Sequence, residues 1–286
     1  MRFRAVAVLT LAASALSASA LSAQTPPVSS AATAPLLRGM RVTPDVTMRL
    51  YVPAGRVRIT TWARDSVAVR GTVAASGSFF GGGSRTHAKF GIEARQPGDT
   101  ALPSAVLDVV VPRAARLWVK MIDGSIDASG TTGELELYTV RGTMVVTDVR
   151  GVCSVESIDA PITLRRASGD VRLRGSRGGI TVEQMQGTLS VATVSGPVRL
   201  NSVAADGRVE TIGGDIVLDG PRLAGRSLEL QSHAGAITLQ LDRTRTPLLD
   251  LSSRAGPVLG DAVKGQATHG TLTARSFKGR IRVIAR

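Results

Sequence analysis

The feature that most constrains this chain is a nine-residue repeat that begins at Gly124. The first position is glycine in every unit but one: Gly124, Gly133, Gly142, Gly151, Ala160, Gly169, Gly178, Gly187 and Gly196. The third position is always apolar: Ile126, Leu135, Met144, Cys153, Ile162, Val171, Ile180, Leu189 and Val198. So is the fifth: Ala128, Leu137, Val146, Val155, Leu164, Leu173, Val182, Val191 and Leu200. Because the positions between them are mostly polar, each unit predicts a short strand with one buried face.

A second period of 18 residues overlies the first. It is carried by four dipeptides, with Gly175-Ser176 as a degenerate member: Thr139-Val140, Ser157-Ile158, Thr193-Val194 and Thr211-Ile212. Two nonamers therefore form one unit, and such units must stack because none can bury an apolar face alone. The pattern predicts an all-β protein, with a β-solenoid of parallel coils over residues 124–286, each coil hydrogen-bonded to the next. Beyond Gly214 the spacing loosens, which is typical of terminal coils.

The eighth position of the nonamer is also mainly apolar. Seven of the nine units carry an apolar residue there: Val140, Val149, Ile158, Ala167, Met185, Val194 and Val203. This pattern predicts a third inward residue on each connecting segment.

Residues 36–123 show strand patterns without the strict repeat. The segments 46–52, 57–60, 67–69 and 106–111 are rich in β-branched residues and read as strands. We expect this region to form a non-repetitive β region that caps the solenoid. The glycine-rich segment 77–84 predicts a mobile loop, whose Phe79 and Phe80 are candidate interaction residues. Both phenylalanines could form an exposed docking tip or fold back against the sheet.

The first 23 residues predict a secretory signal peptide. Arg2 and Arg4 precede a short apolar run, and small residues follow it up to Ala23, where we expect cleavage; cleavage after Ala20 is the alternative. Residues 24–35 are rich in Pro, Ser, Thr and Ala and predict a flexible linker. No later apolar run reaches the ~18 residues of a transmembrane span. The sequence therefore predicts an exported protein of the periplasm, cell surface or extracellular space.

The chain is strongly basic, with a formal net charge of +13 from 35 basic and 22 acidic residues. Loss of Arg2 and Arg4 with the signal peptide leaves 33 basic residues, and 33 − 22 gives +11. This surplus favours a cationic surface for an anionic envelope polymer, or arginines spread over the whole surface. No block of five or six like charges occurs. Aromatic residues are only 3% of the chain, which disfavours nucleic-acid binding, and no intracellular nucleic acid is expected as a partner.

Several segments resemble one family. They are Leu50–Gly55, Val57–Trp62 and Asp65–Val69, then Val109–Pro112 and Leu117–Gly124 before the repeats. Over residues 40–286 the chain is similar to the bacterial β-strand-repeat adhesin-like family, a domain family of unknown function. The resemblance implies a stacked β fold in an exported or envelope protein. It implies no established catalytic residue and no accepted ligand.

Metal and cofactor signals are weak. The nonamer period is shared with calcium-binding β-rolls, but these need a fixed Gly-Gly-x-Gly-x-Asp pattern. Here the aspartates fall in different positions of the unit: Asp127, Asp148, Asp159 and Asp170. His87, His233 and His269 are far apart in the sequence and show no ligand spacing. We therefore expect no metal and no cofactor.

Catalysis is the remaining alternative. Polysaccharide lyases and glycosidases of the β-helix type need clustered carboxylates or a poised basic residue. Glu134 and Glu136 occupy alternate positions, which solvated outward strand positions explain. Cys153 occupies an inward position and is expected to be buried and not a nucleophile. We expect a non-enzymatic adhesin-like or envelope scaffold protein that binds an envelope protein or a surface polysaccharide. The alternatives are a carbohydrate-active enzyme and an electrostatic binder of anionic polymer.

Overall fold

The computed structural model describes residues 33–96, 98 and 100–286. The predicted signal peptide and most of the predicted linker lie outside these residues. The described part contains twenty β-strands and no helix, so it also contains no helix that could cross a membrane. The strands are β1 Thr33–Arg41, β2 Thr47–Trp62, β3 Ser66–Ala74, β4 Gly77–Gly83, β5 His87–Ala94, β6 Ser104–Pro112, β7 Arg116–Ser129, β8 Glu134–Thr139, β9 Arg141–Ser157, β10 Ile162–Arg174, β11 Ile180–Thr193, β12 Val198–Asn201, β13 Ala204–Thr211, β14 Ile216–Asp219, β15 Ser227–Ser232, β16 Ile237–Leu241, β17 Pro247–Ser253, β18 Val258–Gly260, β19 Gln266–Ser276 and β20 Ile281–Ala285.

The 18-residue period is the length of one coil. Ile162 pairs in parallel with Met144 on one side and with Ile180 on the other, each 18 residues away. The same register continues from β11 to β12 and β13. The predicted all-β solenoid of parallel coils is confirmed.

Each coil contributes to two rows of paired strands, because the two halves of a long strand pair separately. Row A contains, in spatial order, β1, β3, β6, β2, β7, β9, β10, β11, β12, β14, β16, β20 and β18. Row B contains β4, β5, β2, β7, β8, β9, β10, β11, β13, β15, β19 and β17. The third and fifth positions of all nine nonamers are buried and belong to one apolar cluster that both rows share.

The two corners of a coil differ. We call the corner at which the chain passes from row A to row B the strand corner. In six successive coils it contains a residue with a positive φ, in the left-handed region: Gly130, Asp148, Arg166, Gln184, Ser202 and Gly220. We call the other corner, at which the chain passes from row B to row A, the turn corner. There an inward hydroxyl forms a hydrogen bond with the main chain. Ser157 Oγ donates to the carbonyl of Ala160 at 2.7 Å, and Thr211 Oγ1 accepts from the Gly214 amide at 2.8 Å.

This difference corrects the prediction for the eighth position of the nonamer. At the strand corner the eighth residue is inward, as predicted, at Val149, Ala167, Met185 and Val203. At the turn corner the preceding Ser or Thr faces inward, so the eighth residue faces solvent. Ile158 and Val194 are exposed, and the prediction was wrong for them.

Glycines at the repeat start permit close approach between coils. Gly142 has φ +113°, and a Cβ there would lie 1.7 Å from the carbonyl oxygen of Gly124 in the preceding coil. No side chain fits that space, and the backbone angle is one that L-residues rarely adopt.

The N-terminal region extends both rows and ends them with antiparallel strands. In row A, β3 is antiparallel to both β1 and β6; in row B, β4 is antiparallel to β5. β1 begins at Thr33, inside the segment predicted as linker. The segment 77–84 was predicted as a mobile loop, and this was wrong, because Gly77–Gly83 is strand β4. Alternation explains the strand: Phe79 faces the core and stacks on Phe90, with ring centroids 6.0 Å apart.

The C-terminal coils do not stack in chain order. β19 lies between β15 and β17, and β20 lies between β16 and β18. The last coil of the sequence is therefore internal, and the β17–β18 coil is at the end of the stack. Burial follows this order: Leu272, Ala274 and Ile281 are completely buried at internal positions, whereas at the end of the stack Leu249 and Leu251 are half-buried and Val258 is exposed.

Candidate binding surface

One column of side chains follows the turn corner through eight coils, and we call it the corner ladder. Its members, in spatial order, are Val140, Ile158, Ser176, Val194, Ile212, His233, Phe277 and Arg254. Each step is made by the same hydrogen bond: the amide that follows one member donates to the carbonyl of the member before it. Gly213 donates to Val194 at 2.7 Å, and Lys278 donates to His233 at 2.8 Å. The side chains are therefore held about one strand spacing apart, ~4.8 Å.

The ladder exposes apolar side chains together. Ile158, Val194, Ile212 and Phe277 are exposed by 40%, 47%, 58% and 37%. Val194 and Ile212 are adjacent members of the ladder, and His233 lies between Ile212 and Phe277. Exposed apolar residues that are scattered singly need no explanation, whereas neighbouring ones are typical of an interaction surface.

The C-terminal half of the ladder forms one wall of a groove of about 860 Å³, which extends along the row B strands. The imidazole of His233 stacks on Phe277 with ring centroids 4.9 Å apart. The guanidinium of Arg254 lies 5.2 Å from the centroid of the same phenylalanine ring. These three side chains from three coils form a rigid stack that combines apolar area with positive charge.

The rim and floor of the groove are polar. Arg275 pairs with Asp250 at 3.4 Å and with Glu229 at 3.7 Å. Ser232 and Ser276 line the groove, and within the described residues their buried Oγ atoms have no hydrogen-bond partner. A ligand in the groove would therefore meet apolar side chains and cationic groups, whereas the two buried hydroxyls face inward.

Ion pairs beside the corner ladder connect successive coils. Arg141 pairs with Asp123 at 3.0 Å, and Arg177 donates to both oxygens of Asp159 at 2.6 and 2.7 Å. The hydrogen bond and charge of Arg177 hold the pKa of Asp159 below its usual value. Asp159 is therefore an ionised partner of Arg177.

Arginines also collect at the strand corner. A groove of about 720 Å³ there is lined by Arg113, Arg150, Arg166 and Arg222, among other polar residues. Arg166 makes two hydrogen bonds to Asp148, at 2.7 and 2.9 Å, and lowers the pKa of that carboxyl. Some of the surplus arginines, such as Arg166, therefore form ion pairs between neighbouring coils.

The two phenylalanine candidates lie on β4, away from the ladder. Phe79 is half-buried against the core, and Phe80 faces outward with Lys89 Nζ 5.6 Å from its ring centroid. Neither forms a loop tip.

The histidines and the cysteine have separate environments. His87 lies on β5 and His269 on β19, and of the three histidines only His233 belongs to the ladder. Within the described residues no group of three or more His, Cys, Asp or Glu side chains could hold a metal ion. Cys153 is 1% exposed, as predicted, and burial raises the pKa of its thiol to about 12.

The signal for the ladder is present in the sequence, because Val194 and Ile212 both lie on the 18-residue grid. The eighth-position pattern predicts an inward side chain for Val194, whereas Val194 and Ile212 both face outward. The buried threonine before each of them is what turns it outward.

The chain is similar to solved structures from three bacteria. A candidate cell adhesion protein of Clostridium sporogenes is 9% identical, with a TM-score of 0.27; the match covers 88% of this chain and 100% of that one. A candidate adhesin of Bacteroides fragilis is 9% identical, with a TM-score of 0.42 and coverages of 88% and 97%. A candidate lipid-binding protein of Parabacteroides distasonis is 10% identical, with a TM-score of 0.43 and coverages of 87% and 96%.

No curated protein sequence matches the chain. The model of one family, described as Toastrack DUF4097, matches residues 43–284, which is nearly all of the repeat and of the region before it. The match confirms the resemblance to an adhesin-like family of unknown function. The chain belongs to the Toastrack family.

Proposed function

We propose that this chain is an exported, non-enzymatic, adhesin-like binding protein of the cell envelope. The corner ladder binds an extended segment of a partner protein along the groove. The observation that carries this proposal is the run of exposed Val194, Ile212, His233 and Phe277 at one constant spacing.

The geometry favours a protein segment as the ligand. Apolar side chains of an extended segment can pack against the ladder, while Arg254 and Arg174 at the groove meet carboxylates or carbonyls. Aromatic and arginine side chains are the residues that most often dominate binding energy at interfaces. Because backbone hydrogen bonds already fix the main chain of the ladder, binding does not have to order it, which lowers the entropy cost of binding.

The environment of the carboxylates favours binding over hydrolysis. A general acid at neutral pH needs a carboxyl pKa raised by burial or by a second carboxylate. The ion-paired Asp159 and Asp148 have lowered pKa values instead. Their arrangement supports a structural role for both groups.

A matched pair of variants tests the groove. Val194→Asp places a carboxylate on the ladder, and Val152→Asp places one on the outward face of β9, at nearly equal exposure (47% and 46%). Each variant would be expressed in the producing cells and crosslinked, and captured proteins would be identified from the envelope fraction. We expect wild type and Val152→Asp to capture the same envelope protein and Val194→Asp to lose it.

Equal capture by the two variants, or no capture by wild type, would overturn the groove as the binding site. N-terminal sequencing of the protein from fractionated cells tests export. Cleavage after Ala23 or Ala20, with the protein outside the cytoplasm, is the expected result; an intact N-terminus in the cytoplasm contradicts it. Turnover of a polysaccharide that a single carboxylate substitution abolishes would establish the enzyme alternative.

A further inference from the structure

Three of the four tyrosine and tryptophan side chains in this aromatic-poor chain share one outward face. Tyr51 lies on β2, Trp118 on β7 and Tyr138 on β8, and these strands are neighbours in row B. Each occupies an outward position between two buried residues, and Trp118 is 38% exposed. Aromatic residues placed in water on adjacent strands provide a ready platform for a flat ligand.

Cations alternate with these rings. Lys120 pairs in register with Tyr51 on one side and Tyr138 on the other, with its Nζ 5.5 Å from the Tyr138 ring centroid. Trp118 lies in register between Arg49 and Glu136. The outward face therefore carries two adjacent sets of three cross-strand neighbours. One has Lys120 at its centre and the other has Trp118.

The tryptophan lies in a cleft of about 560 Å³. The lining contains both signs of charge: Arg49 on β2, Arg116 on β7 itself, and Glu134 and Glu136 on β8. Within the described residues none of these four charged groups makes an ion pair within 4.0 Å, unlike the arginines and aspartates at the corners. Their hydrogen-bonding capacity is therefore directed to solvent or to a ligand.

We propose that this cleft binds an acidic polysaccharide chain, a polymer of sugar rings that carries carboxylates. The apolar face of a sugar ring packs on the Trp118 indole, and the tyrosines extend the platform to neighbouring rings. The side-chain oxygens of Glu134 and Glu136 accept hydrogen bonds, so they select hydroxyl donors. Arg49, Arg116 and Lys120 pair with the carboxylates, and the guanidinium groups can do so with two hydrogen bonds.

The two glutamates favour this ligand over a single-stranded DNA through its hydroxyl groups. Stacked aromatics with cations are also typical of single-stranded nucleic-acid sites, which use a positively charged groove to follow the phosphates. Both polymers carry a negative charge on every unit, so charge alone does not separate them. Each uronate ring also presents hydroxyl donors to the oxygens of Glu134 and Glu136, whereas the deoxyribose–phosphate backbone presents none.

The cleft is independent of the corner ladder, because it lies among the first coils and shares no lining residue with the groove beside the ladder. A ligand there goes beyond the proposed function, and the two proposals can fail separately. Arg222, at the strand corner, provides a matched control for the loss of one positive charge.

Isothermal titration calorimetry of the purified full chain with polygalacturonate oligosaccharides tests the proposal. We expect binding that weakens about tenfold in Trp118→Ala and in Arg49→Ala, with less than about twofold change in Arg222→Ala. Trp118→Phe should retain most of the affinity, since it keeps an aromatic platform. Added salt should weaken binding, and Trp118→Ala should melt within a few degrees of wild type because its side chain is outside the core.

Three results would overturn the proposal. Absence of binding at millimolar oligosaccharide would exclude the ligand class. Equal weakening in Arg49→Ala and Arg222→Ala would show attraction by net charge alone. Tighter binding of oligodeoxythymidylate than of polygalacturonate would identify a nucleic-acid surface instead. Val194→Asp should bind the oligosaccharide like wild type, so that loss of the ladder leaves this result intact.

Discussion

The imidazole of His233 stacks on the ring of Phe277 at 4.9 Å, with only 9° between the ring planes. Strands β16, β17, β18 and β19 lie between these residues along the chain. The stack exists because β19 leaves chain order and pairs with β15. The C-terminal segment of this protein is therefore part of the interior of the stack and contributes a wall of the binding groove.

The internal position of β19 can be tested with two leucines that pair directly with one another. Leu272 on β19 is completely buried, and its partner Leu249 on the terminal strand β17 is half-buried. Leu272→Asp should lower the free energy of unfolding by several kcal/mol, and Leu249→Asp by much less, because only the first charge is fully removed from water. Urea titration followed by circular dichroism measures both; a larger effect at Leu249 would contradict the strand order.

The inward and outward assignment of the repeat can be tested at adjacent residues. Ile180 is 1% exposed and packs between Ile162 and Val198 of the neighbouring coils, whereas Thr181 faces outward. Ile180→Asp should unfold the solenoid or destabilise it by several kcal/mol, since the carboxylate would have no partner in the core. Thr181→Asp should change the melting temperature little. If both variants melted alike, the two assignments would be wrong.

Cys153 should report opening of the coils, because it is the single cysteine of the chain. Burial and a pKa near 12 leave almost no thiolate at pH 8. We expect Ellman's reagent to modify the folded protein only as fast as the stack opens and to react at once in 6 M guanidinium, a concentration at which most domains unfold. Rapid labelling of the native protein would contradict the burial of this residue.

The arginine–aspartate pairs should stabilise the protein only above strongly acidic pH. In the folded state the pKa values of Asp148 and Asp159 lie below the ordinary 3.8. Each pair's contribution is therefore present above about pH 3.8 and is lost as pH falls through the lower folded value. The double variant Asp148→Asn, Asp159→Asn should melt below wild type at pH 7, and the difference should vanish near pH 2.

High salt provides the control for this comparison. Because both pairs are exposed, 1 M NaCl should reduce the difference at pH 7. A difference in melting temperature that persists unchanged at pH 2 would show that the asparagines act through packing and not through charge.

Local periodicity determined the repeat, the coil length and the inward set. Apolar residues at the third and fifth positions are buried together because burial removes their surface from water. Cys153 occupies a third position and is buried with the others. This is why the all-β solenoid, its 18-residue coil and the buried thiol could be predicted from the sequence. A nonamer pattern contains no information about which corner a given eighth residue occupies. The outward position of Val194 and Ile212 depends on the buried threonine before each of them.

Tertiary structure alone decided the relations between distant strands. β19 enters the stack beside β15, where its Leu272 and Ala274 are completely buried, and β17 lies at the end of the stack with its leucines half-buried. Tyr51, Trp118 and Tyr138 come together because β2 pairs with β7 and β7 with β8, although Tyr51 is far from the others in sequence. The repeat determines what each strand buries, since burial depends on the alternation within that strand. The strand that pairs with it is not determined by this alternation. Many strands have a similar pattern and could pair with the same edge, so the order of the strands is set only in the folded stack.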